Sequence, residues 1–281
     1  MDKNTFEFAP LLAGVIGHPI FHSKSPKLHN YWLSKYNING YYIPLSITTE
    51  KLKNSIKGLI DLGFKGVNIT IPHKTNVLSL ADSVTDRAAL IGAANTLYFG
   101  KNGTVHADNT DGYGFIQNII GENPDYDFYD KTAIIYGAGG SARAIASAMI
   151  SNGVKEVGIA NRTRSKAEII SESLGAKVSV VDWRTAPEKV EEADIIINAT
   201  SMGMVGQPEF SQPISRAKKT ALVVDIVYNP LVTSLLKQAE KLKLTTVGGV
   251  GMLINQAVPA FEHWFQKTPV IDDDVRRFII D

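Results

Sequence analysis

Residues 132–142 read TAIIYGAGGSA and decide the fold of the surrounding chain. A short apolar strand ends in a glycine turn, a helix rich in small residues follows, and a second strand ends at Asn161. Strand, glycine turn, helix and strand form the unit that holds a dinucleotide pyrophosphate. Gly137 permits the tight turn, and Gly139 lets the backbone approach the phosphates beside the helix start. The stretch predicts a Rossmann-type domain; the alternative is a glycine turn that binds no nucleotide.

The end of the second strand predicts which dinucleotide is bound. Proteins that prefer NAD place Asp or Glu there to bind the ribose 2′-hydroxyl. This chain has Asn161-Arg162-Thr163-Arg164 instead, so a 2′-phosphate would meet positive charge and forked donors. The pattern favours NADP, although the two arginines, taken alone, also fit a solvated loop.

Composition sets the class of protein and excludes several kinds of chemistry. The 281 residues are 44% hydrophobic, with 29 Lys and Arg against 28 Asp and Glu. This balance predicts a globular protein with two domains and no general attraction to nucleic acid or membranes. The chain has no cysteine and its six histidines lack metal-ligand spacing, so we expect no metal. We find no secretory signal pattern and no membrane-spanning apolar run, so the expected location is cytoplasmic.

Short apolar strands alternate with helical patterns along the whole chain, which indicates an α/β protein with mostly parallel sheets. We expect an N-terminal α/β substrate domain from residues 1–111 and 248–281. A Rossmann-type NADP-binding domain is expected from residues 112–247, with a cleft between the two. The predicted strands are 11–16, 41–45, 66–71, 96–99, 104–107, 132–136, 156–160, 177–181, 194–198, 221–225 and 245–247, and the first-domain helices are 26–36 and 49–62.

Polar residues at strand ends and helix starts are candidates for a substrate site. Ser23 and Ser25 precede a helical pattern. Ser25 is either an N-cap before Pro26 or, with Ser23 and the helix amides, part of a carboxylate site. Thr70 and Lys74 follow a strand that stops at a proline. Lys74 can exchange a proton with an alcohol oxygen if its pKa is shifted, and is otherwise a solvated lysine.

Four further residues are candidates for contacts with the substrate or the cofactor. Asn95 and Asp111, taken singly, resemble turn or cap residues. With Lys74 they supply an amide, a carboxylate and an ammonium group, which suits a small polyhydroxy acid. Thr200 follows a strand of the second domain and is expected near the cofactor at the carboxyl edge of the sheet. Tyr228 is either a core residue or a ligand-facing hydroxyl.

The chain resembles the shikimate dehydrogenase family over essentially its whole length. Many ordered motifs in register are more specific than any one of them. The motifs are GHPIFHSKSP (17–26), GVNITIPHK (66–74), GAANT (92–96), NTDG (109–112), GAGG (137–140), NRT (161–163), NAT (198–200), DIVYNP (225–230) and GVGMLINQ (249–256).

The resemblance implies the reversible reduction of 3-dehydroshikimate to shikimate with NADPH, in chorismate and aromatic amino-acid biosynthesis. It implies that Ser23 and Ser25 bind the substrate carboxylate, and that Lys74 is the acid and base with Asp111 beside it. Further substrate contacts are implied for Thr70, Asn95, Tyr228 and Gln256. The cofactor-facing positions that it implies are Gly137, Ala138, Gly139, Gly140, Ser141, Asn161, Arg162, Thr163, Arg164, Asp86, Ile226 and Gly249.

Two alternatives stay open at the level of sequence. Relatives that accept quinate, or that use NAD, share most of this scaffold, so a quinate/shikimate dehydrogenase is one alternative. A non-catalytic protein that binds NADP or a shikimate-like acid is the other. The expected partners are small molecules, and a homodimer is left open as the assembly.

Overall fold

The computed structural model describes residues 9–280, which divide into two compact units. Unit 1 contains residues 9–110 and 257–279, and unit 2 contains residues 111–256 and 280. The sequence-based boundaries were 111/112 and 247/248, so the second lies nine residues earlier than in the structure. Each unit contains one six-stranded sheet.

The strands and helices are numbered in chain order. Strands β1–β12 are Leu11–Gly17, Gly40–Ser46, Phe64–Ile69, Ser83–Val84, Thr96–Phe99, Val105–Asp108, Thr132–Tyr136, Glu156–Ala160, Val178–Val181, Ile195–Asn198, Leu222–Asp225 and Thr245–Val247. Helices α1–α10 are Ser25–Lys35, Leu52–Asp61, Asp86–Ile91, Asp111–Glu122, Gly140–Ser151, Arg164–Leu174, Ala186–Lys189, Ser234–Lys241, Val250–Phe265 and Asp273–Ile280. Short 3-10 helices span Thr49–Lys51 and Asn76–Leu80.

The sheet of unit 1 has the order β2-β1-β3-β5-β6-β4, and β5 is its antiparallel strand. The mostly parallel sheet confirms the sequence-based prediction, and β5 and β6 pair as an antiparallel hairpin. The strand predicted over 66–71 ends earlier, at Ile69, because the chain turns there and the His73 amide donates to the Thr70 carbonyl at 2.9 Å. The helix predicted over 49–62 is a 3-10 turn followed by α2.

An aromatic cluster forms part of the core of unit 1. Trp32 on α1 and Phe261 on α9 pack edge to face at 5.3 Å, and both are fully buried. The ring of His29 stacks on that of Tyr42 at 4.0 Å. Trp264 donates its indole N–H to the Leu97 carbonyl of β5 at 3.2 Å. The C-terminal half of α9 therefore contributes to this core.

The sheet of unit 2 is wholly parallel, with the order β12-β11-β10-β7-β8-β9. This is the doubly wound arrangement in which ligands bind where the strand order reverses, here between β7 and β10. Alternate residues of the central strands pack into separate core clusters, as Ile134 and Ile135 of β7 show. The predicted Rossmann-type domain is confirmed.

The first half of α9 packs within unit 2, which explains the position of the second boundary. Met252 belongs to the same core cluster as Phe115 and Ile119 of α4. A Cβ atom at Gly251 would lie 1.8 Å from Oδ1 of Asn118, so the two helices approach closely only because position 251 is glycine. Within residues 9–280, no helix combines the length and the apolar character needed to cross a membrane.

Candidate active site

The segment after β3 holds Thr70 and Lys74 at the carboxyl end of the unit 1 sheet. The Thr70 amide donates to the Ile16 carbonyl of β1 at 2.9 Å, and the Lys74 carbonyl accepts the Ala94 amide at 2.8 Å. Both Thr70 and Lys74 have half-buried side chains. Backbone hydrogen bonds to two different segments therefore fix where both residues lie.

Asn95 is a buried link between the start of β5 and the end of β6. Its Oδ1 accepts the Thr110 amide at 2.9 Å, and its Nδ2 donates to the Thr110 hydroxyl at 2.9 Å. The Asn95 amide in turn donates to the Asp108 carbonyl at 3.0 Å. This side chain belongs to an internal network, whereas an ordinary turn residue would be exposed.

The serine motif differs from the capping prediction. Helix α1 begins at Ser25, with Lys24 as the N-cap residue at φ −84° and ψ −3° and no side-chain cap, so the prediction of Ser25 as N-cap is wrong. Pro26 is the second residue of α1, whereas the sequence-based prediction places it first. Proline is tolerated at both positions because the amides of the first helical turn have no partner within the helix. Ser23 Oγ accepts the Ser25 amide at 3.3 Å. The Lys24 ammonium donates to the Ile279 carbonyl at 2.5 Å, and this hydrogen bond connects the serine motif to α10.

Tyr42, which the sequence did not single out, connects Ser25 to the Asn95 network. Its hydroxyl donates to Asn68 Oδ1 at 2.7 Å and is also hydrogen-bonded to the Ser25 side chain. Asn68 Nδ2 donates to the Thr96 hydroxyl at 3.0 Å and to the Asn95 carbonyl at 3.1 Å. Burial raises the pKa of Tyr42 well above its usual value, although the bond with Ser25 opposes this. The phenol therefore stays protonated and holds this chain of bonds.

Asp86, predicted to face the cofactor, is the exposed first residue of α3. A carboxylate at this position stabilises the positive end of the helix, which is a sufficient structural reason for it. Its neighbour Arg87 forms a bidentate ion pair with buried Asp108. Burial raises the pKa of Asp108, but hydrogen bonds from Arg87 and Thr85 outweigh burial, and the pKa lies below its usual value.

Two of the three glycines in the turn of unit 2, Gly137 and Gly139, differ in what a side chain would meet at their positions. Gly137 has φ +114°, and a Cβ atom there would lie 2.8 Å from the Ala199 carbonyl oxygen, so glycine is required by the fold. Gly139 has φ −86°, which any residue adopts, and its Cβ would meet no atom within 4 Å. The open space beside Gly139 lies at the N-terminus of α5, where the unpaired backbone amides of a helix can bind an anion. These residues fit a pyrophosphate group.

The remaining residues of the turn lie as follows. Ala138 is half-buried, and Gly140 is the first residue of α5. Ser141 donates its hydroxyl hydrogen bond to Oδ2 of Asp111 at 3.2 Å. Asp111 is the buried first residue of α4, so its carboxylate lies beside the turn of unit 2.

Thr200 belongs to a buried network at the carboxyl ends of β10 and β11. Its hydroxyl donates to Asn198 Oδ1 at 2.6 Å, and Asn198 Nδ2 donates to Asp225 Oδ1 at 3.0 Å. The Thr233 hydroxyl donates to the other oxygen of Asp225 at 2.6 Å. Burial raises the pKa of Asp225 to about 6 although these bonds oppose the shift. The network fixes the edge of the sheet at which a Rossmann domain binds its ligand.

Gly249 is required by close backbone packing. A Cβ atom there would lie 2.3 Å from the Ile226 carbonyl oxygen, so Gly249 and Ile226 are adjacent within unit 2. Tyr228 and Gln256 are half-buried in the same unit. The predicted substrate residues thus fall into two sets. Unit 1 contains Ser23, Ser25, Thr70, Lys74 and Asn95, and unit 2 contains Asp111, Tyr228 and Gln256.

A basic cavity of about 340 Å³ lies in unit 2. Three of the predicted NADP-binding residues line this cavity. The Thr163 carbonyl supports them by accepting a hydrogen bond from the Asn161 side-chain amide at 2.8 Å. Sequence reasoning missed three residues that follow β9. The adjacent Trp183 and Arg184 could have pointed to a binding site, but no local sequence feature connects them with Asn161. The lining residues are Asn161, Arg162, Arg164, Val181, Asp182, Trp183 and Arg184.

The parallel sheet, the glycine turn and the basic cavity define unit 2 as a dinucleotide-binding Rossmann domain. Family models match most of the chain. They are the shikimate dehydrogenase substrate binding domain over residues 15–97, shikimate/quinate 5-dehydrogenase over 120–251 and the shikimate 5′-dehydrogenase C-terminal domain over 249–272. The chain belongs to the shikimate dehydrogenase family.

Three similar proteins illustrate the range of the family. The shikimate dehydrogenase (NADP(+)) of Paracoccus denitrificans is 50% identical, over 98% of both chains. The shikimate 5-dehydrogenase of Thermus thermophilus, solved in complex with NADP(H) and shikimate, is 31% identical with a TM-score of 0.84, over 96% of this chain and 98% of that one. The quinate dehydrogenase of Corynebacterium glutamicum, solved in complex with NAD, is also 31% identical with a TM-score of 0.87, over 96% and 99%.

Proposed function

We propose that this protein is an NADP-dependent shikimate dehydrogenase, which catalyses the reversible reduction of 3-dehydroshikimate to shikimate in aromatic amino-acid biosynthesis. The observation that carries this proposal combines two features of the protein. Its chain is 50% identical to an NADP(+) shikimate dehydrogenase, and three arginines line one cavity of its Rossmann domain. Guanidinium groups of this kind suit the 2′-phosphate that distinguishes NADP from NAD.

Lys74 supplies the proton in the proposed reaction. The bound NADPH supplies the hydride. Reduction of the ketone leaves negative charge on its oxygen, which the Lys74 ammonium group stabilises and then protonates. In the reverse direction the neutral amine accepts that proton. The hydrogen bond between the Lys74 carbonyl and the Ala94 amide holds the backbone from which this side chain extends.

Residues of unit 1 bind the substrate in this proposal. Ser23 and Ser25 donate to its carboxylate, and Tyr42 positions the Ser25 hydroxyl through their mutual hydrogen bond. Thr70 and Asn95 contact its hydroxyl groups. The unit 2 residues Asp111, Tyr228 and Gln256 remain predicted substrate residues.

The cofactor residues of the proposal lie in unit 2. The amides that follow Gly139 bind the pyrophosphate, and Arg162 lies in the basic cavity that takes the 2′-phosphate. Ala138, Gly140, Ser141, Thr163, Thr200, Ile226, Gly249 and, in unit 1, Asp86 remain predicted cofactor residues. A cytoplasmic location is part of the proposal, and sedimentation equilibrium distinguishes a monomer from the homodimer that the sequence leaves open.

The proposal is tested by steady-state kinetics on a grid of two substrates and two cofactors. We expect shikimate with NADP⁺ to give the largest kcat/KM, measured as NADPH absorbance. A larger value for quinate or for NAD⁺ would favour the broader quinate/shikimate dehydrogenase. Binding of both ligands with no turnover would favour a non-catalytic protein.

Alanine substitutions at Gly139 and Gly137 distinguish an effect on cofactor binding from an effect on folding stability. We expect Gly139→Ala to change the free energy of unfolding by less than about 1 kcal/mol, because its backbone conformation and the open space both accept a methyl group. The same methyl group occupies the space beside the helix amides, so NADP⁺ should bind about tenfold more weakly. Calorimetric titration and urea unfolding measure the two effects.

Gly137→Ala is the matched variant. It should lower the free energy of unfolding by about 1–3 kcal/mol, because φ of +114° and the Ala199 carbonyl both exclude a Cβ atom. Normal NADP⁺ binding by Gly139→Ala would show that the phosphates lie elsewhere.

A further inference from the structure

We infer that Arg184 is a specificity residue for the 2′-phosphate of NADP, and that it contributes more to this selection than Arg164. The inference rests on the proposed use of NADP. Arg184 stands 20 residues beyond Arg164 in the chain, yet both line the same basic cavity of unit 2.

Arg164 is already engaged with a carboxylate. It is the first residue of α6, and its Nε donates to Oε1 of Glu168 on the next turn at 2.8 Å. This i,i+4 ion pair occupies part of the guanidinium fork and offsets its charge. A phosphate at Arg164 would therefore compete with Glu168 for the same donors.

Arg184 is placed at the cavity by a local turn and by an aromatic anchor. Its amide donates to Oδ1 of Asp182 at 2.8 Å, which closes a turn directly after β9. The intervening Trp183 is half-buried and packs its ring edge to face against Tyr136 of β7 at 5.8 Å. The hydrogen bond to Asp182 and the packing of Trp183 together fix the backbone that leads to Arg184.

The charge of the lining matches a phosphate monoester. Three arginines and Asp182 give the cavity a formal charge of +2. A phosphate monoester carries about −1.5 to −2 at neutral pH, so it would balance this charge. In the part of the chain that the structure describes, neither Arg162 nor Arg184 forms an ion pair, in contrast to Arg164. These two guanidinium groups are consequently the better placed to accept the 2′-phosphate.

The experiment compares single variants by calorimetric titration with NADP⁺, NAD⁺, 2′,5′-ADP and 5′-ADP at one ionic strength. We expect Arg184→Ala to weaken NADP⁺ and 2′,5′-ADP binding about tenfold or more, with less than about twofold effect on NAD⁺ and 5′-ADP. Arg164→Ala should have a smaller effect on the 2′-phosphate ligands. Arg216→Ala is the matched control, since Arg216 is also exposed but pairs with Glu191 outside the cavity.

Tryptophan fluorescence supplies an independent readout. Trp32 and Trp264 are buried in the core of unit 1, whereas Trp183 lines the cavity. We expect 2′,5′-ADP to change the emission of the wild-type protein and to have no such effect on Trp183→Phe. A change that persists in Trp183→Phe would place the ligand outside this cavity and overturn the inference.

The two proposals fail in different ways. Equal weakening of NADP⁺ and NAD⁺ binding by Arg184→Ala, or a larger loss in Arg164→Ala, would overturn the role of Arg184 alone. A wild-type protein that binds neither dinucleotide would overturn both this inference and the proposed function.

Discussion

Lys74→Ala is expected to lower the turnover number for shikimate oxidation by about 10²–10⁴-fold, the usual contribution of a positioned general acid or base. The reason is chemical, because alanine neither accepts the alcohol proton nor stabilises charge on the oxygen. Binding should be retained in large part, since the serine and Asn95 groups proposed for the substrate are unchanged. The measurements are NADPH absorbance for turnover and calorimetric titration for shikimate affinity.

Lys65→Ala is the matched control for this prediction. Lys65 is an exposed lysine near the start of β3, nine residues before Lys74. The control removes the same charge at the opposite end of that strand, and we expect its turnover to stay within about twofold of wild type. Near-normal turnover of Lys74→Ala, with unfolding unchanged, would remove Lys74 from the mechanism.

His29→Phe is expected to remove a large part of the acid sensitivity of unit 1. His29 is fully buried against Tyr42, and neither ring nitrogen has a hydrogen-bond partner among residues 9–280. Burial lowers the pKa of His29 from 6.5 to about 3. The folded protein therefore keeps this imidazole neutral at pH values where the unfolded chain protonates it.

The sign of the effect follows from proton binding. Between pH 6.5 and about 3 the unfolded state binds a proton at His29 that the folded state excludes. Stability is therefore full above pH 6.5 and falls as the pH decreases through this window, by up to about 1.4 kcal/mol per pH unit. The total for this one side chain is on the order of 5 kcal/mol, a large share of the stability of an ordinary domain.

Urea unfolding at a series of pH values from 7 to 4 measures this effect. The free energy of unfolding of His29→Phe should fall less steeply with decreasing pH than that of wild type, because phenylalanine binds no proton. His22→Ala, which removes an exposed histidine, is measured in parallel as the control. Parallel curves for wild type and His29→Phe would show that another group causes the acid sensitivity.

The Rossmann domain was predictable because its signals are local. The glycine turn after β7 combines an apolar strand, a position that demands positive φ and a small-residue helix within about a dozen residues, and each of these follows from the chemistry of adjacent residues. The alternation of strands with helices then implies parallel sheets, because parallel strands need crossover connections. Most strand bounds were predicted to within one or two residues for the same reason.

The sequence alone established which amino acids are candidates for the site, such as the lysine, the serines and the arginines, because residue types and their spacing can be read directly from it. Their partners were set by the tertiary structure, which brought Arg184 and Arg162 into the lining of one cavity and connected Ser25 to Asn68 through Tyr42. Local propensity acts over a few residues. These contacts join segments brought together by strand pairing and core packing, so no single stretch of sequence contains them.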